Sequence, residues 1–166
     1  MYHTISDFLT DWQNEAANTA KLFSYITEDA KAIKIHPKIR TLEFLAWHIT
    51  ETITEMGSKA GLFDDDLLEH QSIPATFAQI AAAHQKYNAQ LAENVSSRLT
   101  DADLQDEVNM YGQTWTKSTV LSVLVQHEAH HRSQMTIIMR MVGLPVPGLY
   151  GPSQEEWEAM GMPAMP

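Results

Sequence analysis

No cysteine occurs anywhere in the 166 residues. That absence excludes thiolate metal sites, cysteine nucleophiles and redox pairs within the chain, and it suits a reducing compartment. Basic residues are few: 11 Lys and Arg stand against 21 Asp and Glu, a formal net charge of -10 with a pI near 5.1. The basic residues are also scattered, so a phosphate backbone meets repulsion and nucleic-acid binding is disfavoured. No stretch approaches the roughly 18 apolar residues of a membrane span. The start, Met-Tyr-His-Thr-Ile-Ser-Asp, has no basic region followed by an apolar run, so no signal peptide is expected and the protein is expected to be cytoplasmic. The length fits one domain, residues 1–166, able to bury a core without disulfides.

What is present is helical periodicity, four times over. Ile5, Phe8, Leu9, Trp12, Ala16, Ala20, Phe23, Ile26, Ala30 and Ile33 follow three-and-four spacing, which predicts a first helix from about Ser6 to Lys34, broken by His36-Pro37. A second opens at Arg40 or Thr41, turns Leu42, Leu45, Ile49, Ile53 and Met56 inward, and stops before Gly61. A third starts near Pro74 and carries Phe77, Ile80, Ala81, His84, Leu91 and Val95. Residues 101–115 are acidic and then turn-like, an irregular connection with a short hairpin around Gly112. A fourth helix begins near Thr116 to Ser118 and ends at Gly143-Leu144-Pro145. The expected fold is all-α, an up-and-down four-helix bundle. Residues 155–166, with Met160, Met162 and Met165 among Gly and Pro, read as a loosely packed tail.

The chemistry is concentrated at residues 127–134, His-Glu-Ala-His-His-Arg-Ser-Gln. At about 100° per residue, Val120, Leu124, His127, His131, Gln134, Ile138 and Val142 fall within roughly 40° of one stripe centre, with His130 about 80° or more to one side. Two imidazoles one turn apart on an inward face can each give a nitrogen to one ion. The competing reading is a pair of hydrogen-bonded core histidines. A single histidine on an apolar face would favour that reading, and two together favour the ion. A third ligand must come from another helix. His3, His36 and His70 lie at a terminus or in connectors and are expected to be solvated. His84 is central in its stripe and ranks first on angles, whereas His48 is about 100° from the centre of its own stripe, where a solvent-accessible site could form.

The whole chain resembles the DinB-like (DinB/YfiT) superfamily of small metal-binding bundles. The resemblance rests on Arg-Thr-Leu-Glu-Phe-Leu-Ala-Trp-His-Ile-Thr-Glu at 40–51, on 127–134, and on Gly-Leu-Pro-Val-Pro-Gly-Leu-Tyr-Gly-Pro at 143–152. Members of that family commonly carry one histidine on the second helix and an HxxxH pair on the last bundle helix, often followed by Arg-Gly-Gln. The resemblance therefore implies His48, His127 and His131 as metal ligands, with Ser133 where Gly is usual. Characterised relatives include transferases and isomerases that use low-molecular-weight thiols such as bacillithiol and mycothiol.

Three histidines leave a coordination position for water or substrate, the arrangement of a catalytic site. Imidazole suits zinc, nickel or iron(II), with zinc or nickel placed first. The expected function is a metal-dependent enzyme of the thiol S-transferase or hydrolase type acting on a small molecule, and the alternative is a non-catalytic metal or small-ligand binding protein. Glu51, Glu55 and Glu128 are candidate acid/base groups, although a solvated helix carboxylate is the preferred reading of each. His130 is a candidate for a supporting hydrogen bond or the mouth of a cleft. Arg132 either anchors a substrate carboxylate or makes a helix salt bridge, the second preferred. A homodimer is expected from the resemblance and from Trp12, Trp47 and Tyr25, aromatic surface beyond one bundle stripe.

Overall fold

A computed structural model describes residues 1–163. Helix α1 runs Ile5–Phe23, α2 Leu42–Lys59, α3 Phe77–Arg98 and α4 Lys117–Met141. Each starts after a threonine whose hydroxyl accepts from an otherwise orphaned backbone N–H of the first turn. Thr4 accepts from Asp7, Thr41 from Phe44, Thr76 from Gln79 and Thr116 from Thr119. Thr76 and Gln79 form a reciprocal capping box, which starts α3 three residues later than Pro74 would suggest for a first-turn proline. Between α3 and α4 come a 3₁₀ turn, Asp101–Gln105, and an antiparallel hairpin of β1, Glu107–Met110, and β2, Gln113–Thr116. Its turn residues Tyr111 and Gly112 both have positive φ, 54° and 79°, the geometry that matches strand twist in a two-residue hairpin loop. This is the hairpin expected around Gly112.

The first helix is shorter than its apolar spacing predicts. It ends at Phe23 instead of continuing to Lys34, although Ile26 and Ala30 remain buried. From Leu22 onward, i to i+3 bonds replace the helical ladder: Tyr25 N–H donates to Leu22, Ile26 to Phe23, Ala30 to Thr27 and Ile33 to Ala30. A chain of such turns keeps apolar residues three or four apart, so burial periodicity persists after the helix stops. Tertiary contacts favour the turns. Glu28 accepts from the Phe77 N–H at the start of α3, the Lys31 ammonium donates to the Ala75 carbonyl, and the Lys31 carbonyl accepts from the Glu43 N–H in the first turn of α2 at 3.0 Å. The segment thus closes the N-terminal ends of two helices, which a continued α1 could not reach.

Two apolar clusters fill the bundle. One contains Leu22, Leu45, Ile49, Ile80, Met135 and Ile138; the other contains Phe8, Trp12, Ile53, Leu91, Leu121 and Leu124. Between them lies a buried polar layer, one turn from each helix: Glu15 and Thr19 on α1, Thr50 on α2, His84 and Asn88 on α3, Glu128 and Arg132 on α4. Trp12 and Trp47 belong to the clusters, so they are core residues and give no reason to expect a dimer; of the three aromatics named above, only Tyr25 is exposed. Gly57 on α2 is a close approach, since a Cβ there would lie 2.6 Å from the Phe63 ring. Among the described residues no helix is long and apolar enough to cross a membrane.

The C-terminal region carries a short helix that buries none of its residues. Ser153 and Glu156 form a capping box that opens a short helix α5, Gln154–Ala159. The Glu156 carboxylate also accepts from the Gly148 N–H at 2.9 Å, and Glu155 pairs with Arg140 at 3.3 Å. Met165, named with the tail, lies outside the described residues.

Candidate metal centre

α2 and α4 pack against each other and bring three imidazoles together. His127 Nε2 lies 3.2 Å from His48 Nε2 and 3.1 Å from His131 Nε2. The ligand nitrogens of the three all lie within 4.8 Å of one another, and among the described residues no cysteine or carboxylate joins them. For metal–nitrogen bonds of about 2.0–2.1 Å, a tetrahedral site requires nitrogens about 3.3–3.4 Å apart and a facial octahedral site about 2.9–3.0 Å. The two observed separations fall between these values.

Hydrogen bonding alone does not satisfy this cluster. The Gln134 amide oxygen lies 2.8 Å from His131 Nδ1, which therefore carries the hydrogen and leaves Nε2 as a lone pair. A proton on His127 Nε2 could then serve one neighbour but not both. A cation accepts all three lone pairs, so the donor set fits a divalent ion. Electrostatics keep the rings available. Burial first, then the positive charge that His131, His48, His130 and Arg40 would contribute, pushes His127 down to about 4. His48 is lowered by burial and then by His131 and Arg40, and His131 mainly by burial. All three are neutral at pH 7, the state that coordinates metal.

The remaining candidates from the sequence lie outside the three-histidine cluster. His130 is exposed and accepts from the Gln134 amide nitrogen at 2.9 Å, so it bears on the cluster only through the residue that orients His131. Glu51 and Glu55 are half-buried on α2 and outside the convergent set. Burial pushes the Glu51 carboxyl up, and Glu55 pairs with Lys59 at 3.1 Å.

Glu128 corrects its expected role. It is 1% exposed and is no solvated helix carboxylate. One oxygen lies 2.6 Å from His84 Nε2 and the other 3.4 Å from both Arg132 and Thr19. His84, first on helix angles, thus partners a carboxylate on α4 and stands outside the metal cluster. Arg132 is also 1% exposed and bonds to Glu15, Thr19 at 2.8 Å, Glu128 and the Tyr150 hydroxyl. It makes the helix salt bridge and is out of reach of a substrate carboxylate.

Glu15, Thr19 and Tyr150 were missed in the sequence, yet a signal was present. Leu121, Leu124, Glu128, Arg132, Met135 and Met139 form a second buried stripe on α4, and Glu15 sits three residues after Trp12 on the buried face of α1. A charge on such a stripe requires an opposite charge from a facing helix.

Comparison with known proteins agrees with this architecture. The DinB family matches residues 1–164. Over 164 residues the chain is 34% identical to a Bacillus subtilis (strain 168) protein described as uncharacterized protein YrdA, covering 99% of this chain and 98% of that one. The crystal structure of a DinB-like protein from Bacillus cereus ATCC 10987 superposes with a TM-score of 0.81 at 35% identity, covering 90% of this chain and 100% of that one. The DinB-like protein YjoA of Bacillus subtilis, 18% identical, shares the fold with a TM-score of 0.66, covering 84% of this chain and 96% of that one. Helical bundle, three-histidine cluster and full-length match converge on one conclusion: this chain belongs to the DinB family.

Proposed function

We propose that the protein is a metal-dependent enzyme that holds one divalent ion, zinc or nickel before iron(II), on Nε2 of His48, His127 and His131. The observation that carries the reading is the approach of these nitrogens to 3.1 and 3.2 Å beside a pocket of which His131 forms one wall. An ion sealed in the core could serve structure alone, whereas this one would face incoming molecules. When bound, it supplies a Lewis-acid position that lowers the pKa of a bound water or thiol. Gln134 holds His131 in the tautomer whose Nε2 lone pair faces the cluster. His48 and His127 complete the set from facing helices, and apolar residues line the pocket beside His131.

The reaction class proposed is thiol S-transfer, with hydrolysis as the second form of the same chemistry. A chain without cysteine must take its nucleophilic sulfur from a small-molecule thiol. The test is loss of an electrophilic probe such as a chlorobimane, with and without added low-molecular-weight thiol. A rate that requires thiol and disappears on chelation and in His131→Ala supports S-transfer; thiol-independent turnover of ester probes supports hydrolysis. A metal-loaded protein silent toward both panels is a binding protein, and the enzyme reading falls. The proposal includes a homodimer, for which Tyr25 supplies exposed aromatic surface; a monomer at micromolar concentration in sedimentation equilibrium removes that part.

A further inference from the structure

Beside the histidine cluster lies a cavity of about 420 Å³, within the roughly 300–1,000 Å³ range of small-molecule sites. Its lining includes Ile39, Ile137, Ile138 and Met141, with Lys38 and Arg40 among them, and no acidic residue lines it. His131 and Gln134 also line it. This composition is unusual in a chain of net charge -10. Of the eleven Lys and Arg, seven form ion pairs with carboxylates among the described residues. Lys34, Lys38, Arg40 and Lys86 do not, and two of those four line this one cavity.

Arg40 is also held in place. Its guanidinium lies 4.9 Å from the centroid of the Phe44 ring, and Phe44 in turn stacks on His48 with centroids 6.4 Å apart. The charge is thereby carried on an aromatic neighbour of a cluster histidine, without a carboxylate to neutralise it.

We infer that this cavity binds a small amphipathic anion, with its carboxylate, sulfonate or similar group at Arg40 and Lys38 and its apolar body on the isoleucine and methionine walls. The anion would lie next to His131, so resting on the metal-enzyme reading it names the substrate class: molecules with one acidic end and an apolar portion. The rest of the acidic surface would repel such a molecule at long range, leaving Arg40 and Lys38 to select it locally.

The test is calorimetric titration with three probes that share an octyl chain: octane-1-sulfonate, octan-1-ol and octyltrimethylammonium. Each is titrated into the purified protein, into protein stripped by chelation, and into protein reloaded with zinc. The expected result is one octanesulfonate per chain, bound at least ten-fold more tightly than octanol, with no binding of the cation. Arg40→Gln should weaken the sulfonate about ten-fold and leave octanol unchanged. Ile137→Asp, on a wall residue that is 58% exposed, should remove both while helicity by circular dichroism stays that of the wild type. Equal affinity for sulfonate and octanol, or an Arg40→Gln variant that binds the sulfonate as the wild type does, overturns the inference. The metal reading fails separately. A chain that takes up no zinc yet selects sulfonate through Arg40 keeps the anion pocket and loses the metal; zinc uptake with no anion preference does the reverse.

Discussion

The two faces of α4 place similar residue types one position apart and put them to opposite ends. Toward α2, His127 and His131 meet His48, with nitrogens aimed at one another beside a pocket. Toward α1 and α3, Glu128 and Arg132 meet Glu15, Thr19 and His84, and nearly every polar atom finds a partner; the Arg132 Nε has none among the described residues. The first face gathers like groups whose lone pairs remain for an external cation. The second gathers opposite charges that neutralise each other between two apolar clusters. Histidine occurs on both, so residue type alone does not separate a ligand from a structural group; the partner does. His84 faces a carboxylate and is satisfied, whereas His127 faces two imidazoles and is not.

The comparison is most directly broken by removing one member from each face. His127→Ala, His131→Ala or His48→Ala should take metal content from about one ion per chain to none by elemental analysis, because two imidazoles are too few for a stable site. The metal-free variants should keep wild-type helicity. Retained metal in His48→Ala together with loss in His84→Ala would exchange the roles of the two faces. Arg132→Met acts on the other face. It leaves Glu15 and Glu128 buried without their cation and should cost about 3–5 kcal/mol in urea denaturation, while the folded fraction still binds one ion. His84→Leu should cost less, about 1–3 kcal/mol for an orphaned Glu128 oxygen, again with metal content intact.

Acid sharpens the contrast. An unfolded chain protonates His127 near the ordinary value of about 6.5, but the folded metal-free protein does so only near 4. The unfolded state therefore binds more protons across that window, and the stability of the chelated protein should fall as pH drops from about 6.5 toward 4. His48 and His131, also lowered, act in the same direction. Urea midpoints at several pH values should show this slope, and His127→Gln should flatten it. Bound metal should leave over the same acid range, since protonated imidazole does not coordinate; unchanged retention at pH 4 would exclude histidine ligation. The smallest effect belongs to the surface: Lys59→Ala, which removes a half-exposed pair with Glu55, should change stability by less than about 1 kcal/mol.

Much of this molecule was legible from local pattern. The helix starts at Thr41 and Thr116 and the stop at Gly143 follow from capping chemistry, and Gly112 marks its hairpin, because each depends on residues within one turn of the chain. The shared face of His127 and His131 follows in the same way from helix geometry. The choice between His48 and His84 did not, since helix angles favoured His84 and only the family resemblance pointed to His48. That choice depends on which helix packs against which side of α4, a matter of long-range contact that no single helix records.

The sequence by itself determined the bundle, the absence of internal thiol chemistry and the one-turn histidine pair, since composition and helical period are properties of short stretches read alone. Tertiary structure decided where α1 ends, because Glu28 and Lys31 find partners at the starts of α3 and α2 only once those helices are in place. It likewise decided that Glu128 and Arg132 are buried and paired, and that Lys38 and Arg40 share an apolar cavity with His131. The physical reason is common to all three: the energy of a charge depends on what surrounds it, and its surroundings come from segments distant in the chain.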